Sequence, residues 1–308
     1  MSTDWTPARA LQLVAGTPLG GGLDRVARAL ASALDETGRI RVPVEVLNVP
    51  GDGARRAWTH CIDGHAGDAH VVGISSPNLT TDYLVGVAGF EHARYTPIAT
   101  LITEYIAFGV RNDSALGTGT DLLAALAAPG ATVALSTALG NPNHVALARL
   151  VRAGGGDINA PAIRVFDTAL DAVAEVMAGR ADVCAVTAAS VLTEFESGRM
   201  RVLGVSAPDR LGGVFAATPT WREQGADCII GAWRGVTGPA GLSDAQVRFW
   251  AGLLEAAAGQ PAWKARLARL HWSPLLKTGG ALENYLAAER AEFIAVLDEL
   301  GLLKAPTP

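Results

Sequence analysis

The chain has 308 residues, enough for one large domain or two with a substantial core. With 49% hydrophobic and 18% charged residues it is globular and rather apolar, and a net charge of −5 leaves no basic block to neutralise a nucleic-acid backbone. No apolar run reaches the length of a membrane span, and the three scattered cysteines, Cys61, Cys184 and Cys228, give neither a disulfide framework nor a zinc spacing.

In chain order, "MSTDWTPARALQLV" has no basic segment followed by an apolar one. That absence of a signal peptide implies either a cytoplasmic protein or a chain that starts at its mature domain. "ALQLVAG" reads as a buried strand, and "LDRVARALASALDE" as a helix with Val26, Ala27, Leu30, Ala33 and Leu34 on one face. "VPVEVLN" and "AHVVGISS" are further strands, and "YTPIATLITEYIAFGVR" holds one or two more. "DLLAALAAPG" is a helix closing on Pro-Gly, followed by the strand "ATVALST". "PNHVALARLVRAGG" is helical, with Pro142 in the favoured first position. "AIRVFD", "TALDAVAEVMAGR", "ADVCAVTA", "VLTEFESG" and "MRVLGVSA" continue the alternation, and residues 245–303 are mostly helix. Such alternation predicts an α/β fold with a parallel sheet and helices on both faces. No internal repeat or low-complexity linker is visible. Two Gly-rich strand-to-helix junctions, near residues 20 and 140, suggest two lobes facing one cleft, because ligands gather at the carboxyl ends of strands in open α/β sheets.

Several chemistries lack their carriers. A dinucleotide fingerprint starting at Gly20 would need glycine where Arg25 stands, and Asn48 replaces the expected ribose-binding acid. No Gly-Lys-Ser/Thr, GxSxG or HExxH occurs, and Ser75 and Ser206 lack flanking glycines. "HCIDGHAGDAH" gathers His60, Cys61, Asp63, His65, Asp68 and His70, yet without metal-ligand spacing; it reads as a polar turn. No catalytic residue, metal ligand or cofactor is therefore assigned.

What remains is anion capture at helix N-termini, where unpaired N–H groups and the helix dipole favour a carboxylate. Residues 17–24 form one junction; Gly20, Gly21 and Gly22 would bare its amides. Residues 136–144 form a second, with Asn141 as N-cap, and "RVFDTALDAV" a third, with Asp167 or Thr168 as cap. Ordinary capping explains each one singly. Asp24 either pairs with the dipole or accepts from a ligand ammonium or hydroxyl; His144 either caps locally or touches ligand; Trp221 and Trp233 are core or cleft wall, with core the default.

These residues resemble the Bug-type substrate-binding proteins of tripartite tricarboxylate transporters, over nearly the whole chain. "TPLGGGLDRVARALASAL" resembles the family's opening loop and helix, with its glycine pair and aspartate at Gly21, Gly22 and Asp24. "VEVLNVPGDG" resembles Asn-x-Pro-Gly-Ala-Gly at Asn48, Pro50, Gly51 and Gly53, and "GDAHVVGISSP" the strand before a third ligand loop. "STALGNPNHVA" resembles Ser-x-Gly-x-Gly-Ser-x-x-His at Ser136, Gly140 and His144. "TPTWREQG" matches at Pro219, Thr220, Glu223 and Gly225, and "AWRGVTGPAGL" at Trp233, Gly235 and 239–241. The sequence departs from the family at Ala138, Asn141, Asp52, Phe166 and Asp167; an acidic Asp167 near the mouth would repel a second carboxylate.

The resemblance implies a type II periplasmic-binding-protein fold: two α/β lobes joined by crossing strands, roughly 1–103 with 222–308 and 104–221, with a ligand cleft between them. It implies a solute-binding protein, not an enzyme, that delivers a small organic carboxylate (a mono- or dicarboxylate, an amino acid or an aromatic acid) to membrane permease subunits by hinge closure. The protein would be extracytoplasmic and monomeric, with no nucleic-acid partner. Expected ligand contacts are Thr17, Pro18, Leu19, Gly21, Gly22, Asp24, Ser76 and Asn78 from the first lobe. From the second they are Ser136, Thr137, Gly140, Asn141, His144, Phe166, Asp167 and Thr168. The alternative is a cytoplasmic enzyme or ligand sensor on the same fold.

Overall fold

The computed structural model describes residues 4–90 and 94–304; the first residues of the stretch read for a leader lie outside it. The chain forms two compact units, one of residues 1–103, 233–294 and 304–308, the other of 104–232 and 295–303. Residues 222–232 thus pack with the second unit, where the Gln224 amide donates to the Leu203 and Thr220 carbonyls.

In the first unit, β1 (Leu11–Ala15), β2 (Val44–Asn48) and β3 (Val71–Ser75) are parallel, with β1 in the middle. They are followed by α1 (Gly22–Glu36), α2 (Arg55–Gly64) and α3 (Asn78–Leu84). The amphipathic stripe of α1 is buried as its 3.6-residue period requires, Val26, Ala27, Leu30, Ala33 and Leu34 all facing inward. β4 (Tyr95–Arg111) is one continuous strand of 17 residues that leaves this unit after Thr103 and continues in the second.

The second unit repeats the plan. β5 (Thr132–Ser136), β6 (Ala162–Phe166) and β7 (Val183–Thr187) are parallel, β5 in the middle. α4 (Gly119–Ala127) precedes them, and α5 (Pro142–Ala153), α6 (Ala169–Met177) and α7 (Ala188–Glu196) follow them in turn. β8 (Met200–Val205) and β7 both run antiparallel to β4. Trp221 is fully buried here with its ring edge-on to Phe108, and Trp233 is buried in the first unit, so both tryptophans are core.

β9 (Gly231–Pro239) returns antiparallel to β3, and α8 (Asp244–Ala258), α9 (Pro261–Leu270), β10 (Ser273–Thr278) and α10 (Gly279–Glu299) complete the chain. β10 pairs antiparallel with β4 inside a region read as mostly helical. The strands are therefore mixed rather than all parallel. Helical crossovers return β1–β3 and β5–β7 in one direction, whereas β9 runs against β3, and β4 against β7, β8 and β10; an apolar run reports that a strand is buried, not its direction.

Candidate functional site

In the first unit the carboxyl ends of β1, β2 and β3 lie side by side, with Ala15 opposite Asn48 and Val14 opposite Gly73. The loop after β1 is held by a polar clasp. Asp24 is buried, and its carboxylate accepts from the Gly20 N–H at 2.8 Å, from Arg28 Nε at 2.9 Å and from Asn48 Nδ2 at 2.9 Å. Asn48 also donates to the Thr17 carbonyl at 2.8 Å, and Thr17 Oγ1 accepts from the Asp24 N–H at 3.0 Å. Asp24 thus braces the loop from within, in the first turn of α1 where the helix dipole favours an anion. Gly21 donates to the Pro18 carbonyl and caps α1 with no side chain. Among the described residues, the N–H groups of Gly22 and Leu23 meet no protein acceptor. Pro18 and Leu19 stand in solvent, Leu19 at 76% exposure. Ser76 and Asn78 are buried at the carboxyl end of β3 and the start of α3.

In the second unit β5, β6 and β7 present one edge in the same way, Ser136 opposite Phe166. Asn141 caps α5: its Oδ1 accepts from the His144 N–H at 3.1 Å, and its Nδ2 donates to the Ser136 carbonyl at 2.6 Å and to Thr137 Oγ1 at 2.8 Å. Thr137 is held at φ +72°, a left-handed conformation costly for a β-branched residue, by a 2.7 Å bond from its N–H to the Phe166 carbonyl. His144 accepts from the Gly140 N–H at 3.0 Å, and burial pushes its imidazole down to about 4, so the ring is neutral at physiological pH. The N–H groups of Asn141 and Asn143 meet no protein acceptor among the described residues. At α6, Thr168 is the cap, its Oγ1 accepting from the Asp171 N–H; Asp167 precedes it, exposed. Phe166 is half-buried, with the Arg164 guanidinium over its ring.

The two loops are one motif used twice, a repeat too short to register in the sequence as a whole. Thr17, Leu19 and Gly20 recur 120 residues later as Thr137, Leu139 and Gly140. Both glycines have φ +82°, and both donate to a side chain four residues on, Asp24 or His144. Leu139, like Leu19, is exposed, at 39%.

Sequence reasoning missed a third junction of the second unit, where Thr187 Oγ1 and Ser190 Oγ lie 3.0 Å apart, buried, as β7 passes into α7. "TAAS" directly after the apolar "ADVCAV" was the available signal. It also missed Asn143, whose Nδ2 donates to Ser136 Oγ. In the stretch "HCIDGHAGDAH", Asp68 takes His70 at 2.9 Å and His65 at 3.6 Å, and no group of His, Cys, Asp or Glu among the described residues is placed to hold a metal ion. A cavity of about 700 Å3 lies within the first unit, walled by Ser75, Phe90, Tyr95, Trp233 and Leu286 among others and by none of the expected ligand contacts.

Residues 26–302 match the model of the tripartite tricarboxylate transporter family receptor, TctC. Protein BugT of Bordetella pertussis is 25% identical over 309 residues, covering 98% of this chain and 92% of BugT. Two solved structures share the fold. MatC from Rhodopseudomonas palustris with bound malate has a TM-score of 0.79 at 20% identity, covering 94% of this chain and 99% of MatC. A second R. palustris protein, solved with adipate, has a TM-score of 0.83 at 20% identity, covering 97% and 99% of the two chains. Two α/β units of mixed strands flanked by helices share the fold of these solved structures. The chain belongs to the tripartite tricarboxylate transporter family of solute-binding receptors.

Proposed function

We propose that this protein captures a small organic carboxylate outside the cytoplasm and delivers it to a membrane permease, returning it chemically unchanged. The observation that carries this reading is the twice-used loop, which leaves the N–H groups of Gly22 and Leu23 in one unit, and of Asn141 and Asn143 in the other, without protein acceptors among the described residues. Each pair opens a helix of twelve or more residues, so the amide dipoles behind it favour an anion. Hydrogen bonds to a charged group contribute about 1.5–3 kcal/mol each, and three or four of them, less ordering costs, reach the ~8 kcal/mol of a micromolar complex. Malate in MatC and adipate in the second R. palustris protein support the ligand class.

In this reading Asp24 and Asn48 hold the first loop in shape, Asn141 and His144 hold the second, and the bare amides of each loop offer a place for a carboxylate. Thermal unfolding of protein that has been unfolded and refolded to strip ligand, screened against mono-, di- and tricarboxylates, amino acids and aromatic acids, tests it. A cognate acid at a hundredfold excess over Kd is expected to stabilise the fold by about 2.7 kcal/mol and to be recovered intact by NMR. Gly21→Val is expected to weaken binding, because even a Cβ there falls 2.5 Å from Thr17 Cβ and displaces the loop. Silence from every acid after stripping overturns the proposal.

A further inference from the structure

Arg55 opens α2, and the residue before it, Ala54, presses on the start of the first loop: a Cβ on Gly16 would lie 2.3 Å from Ala54 Cβ. The Arg55 side chain then reaches α3, where Nη1 stands 3.4 Å from Asp82 Oδ2. Arg55 thus follows directly on the residue packed against the start of the loop after β1, and its guanidinium is anchored on α3, the helix that begins at Asn78. It is only partly spent there. Its side chain is 28% exposed, and a single long contact engages one of five donors.

The anchor itself is unusual. Asp82 is fully buried, and its second oxygen, Oδ1, has no hydrogen-bond partner among the described residues. A carboxylate in that position costs desolvation energy that its one arginine only partly offsets, which argues for a purpose beyond stability. Two nearby arginines are committed, Arg28 to Asp24 and Asn48, and Arg56 to Asp52, whereas Arg25, in the first turn of α1, keeps a buried Nε without a partner among the described residues.

We propose that Arg55, braced from behind by Asp82, receives a second carboxylate of the ligand, so that the protein selects dicarboxylates over monocarboxylates. This rests on the reading that the loop after β1 receives the first carboxylate. The guanidinium fork matches a carboxylate in geometry and charge, whereas backbone amides distinguish acids poorly by charge number.

Calorimetry with succinate and adipate against butyrate and hexanoate, on wild type, Arg55→Gln, Arg55→Lys and Asp82→Asn, provides the test. Wild type is expected to prefer the diacids. Arg55→Gln is expected to lose about tenfold to a hundredfold in diacid affinity while monoacid affinity moves within about threefold. Arg55→Lys recovers part of the loss, since an ammonium carries the charge without the fork. Asp82→Asn is expected to weaken diacids selectively, where a merely structural role would shift both classes. Wild type that binds monoacids as well as diacids, or a diacid preference that survives Arg55→Gln, overturns the role of Arg55 and leaves the carboxylate reading standing. Silence of the wild type to all four acids and to the broader screen overturns both. Should Arg55→Gln fail to fold by circular dichroism, an undiminished diacid preference in Arg55→Lys overturns the role of Arg55.

Discussion

Gly20, Gly21 and Gly22 are three glycines with three different reasons. Gly20 holds φ +82°, and Gly21 sits against Thr17, where a Cβ would fall 2.5 Å from the threonine Cβ. Gly22 has no atom within 4 Å of a Cβ position and opens α1 with the N–H that the proposed ligand needs. Gly20→Ala is therefore expected to destabilise the fold by about 1–2 kcal/mol, and Gly22→Ala to be neutral or stabilising by up to ~1 kcal/mol, in urea unfolding. A run of glycine letters announces a close approach of backbone without saying which residue serves it. The partners of Asp24 were hidden for a related reason: Asn48 and Arg28 reach it through tertiary placement, and a spacing rule sees the dipole but not the clasp.

At the scale of single elements, the caps carry the argument. Asn141 was legible as a cap from Asn-Pro at a strand-to-helix junction, and α5 begins there. Its side-chain amide also holds Ser136 and Thr137, bonds that depend on the loop's path and not on its letters. Asn141→Ala is expected to cost about 2 kcal/mol, at the upper end of cap losses, and Thr168→Ala, a more exposed cap, about 1 kcal/mol, in the same unfolding experiment. His144 makes α5 sensitive to pH. The unfolded imidazole takes its proton near 6.5 and the buried one only near 4, so its contribution is complete above 6.5 and fades as pH falls through that window. The full span corresponds to about 3 kcal/mol, of which ~2 is gone by about pH 5. Asp82, raised to about 6, and Glu289, raised to about 7 beside Trp233, act in the opposite sense, losing stability as pH rises. The test is accordingly the difference between wild type and His144→Gln: unfolding free energy measured at about pH 5 and about pH 7.5 should show a smaller acid loss in the variant.

For the whole molecule, the α/β class followed from alternation, because each buried strand and each amphipathic helix writes its own period in the chain. Direction did not follow, and so β4, β9 and β10 appear antiparallel where a parallel sheet was expected. The cysteines give a global readout of the fold. Cys61, Cys184 and Cys228 are free, buried and pushed up to about 12, so a chromogenic disulfide reagent is expected to label none of them in native protein and all three in urea. Native labelling would mean that a unit opens readily. The matched loops carry a last consequence. If each loop receives a carboxylate as proposed, two copies of one part, 120 residues apart, need not change together: one can drift toward a new cargo while its twin keeps the old grip. Asp24 in one copy and His144 in the other already occupy the same place with different chemistry. A receptor assembled this way can be retuned half at a time.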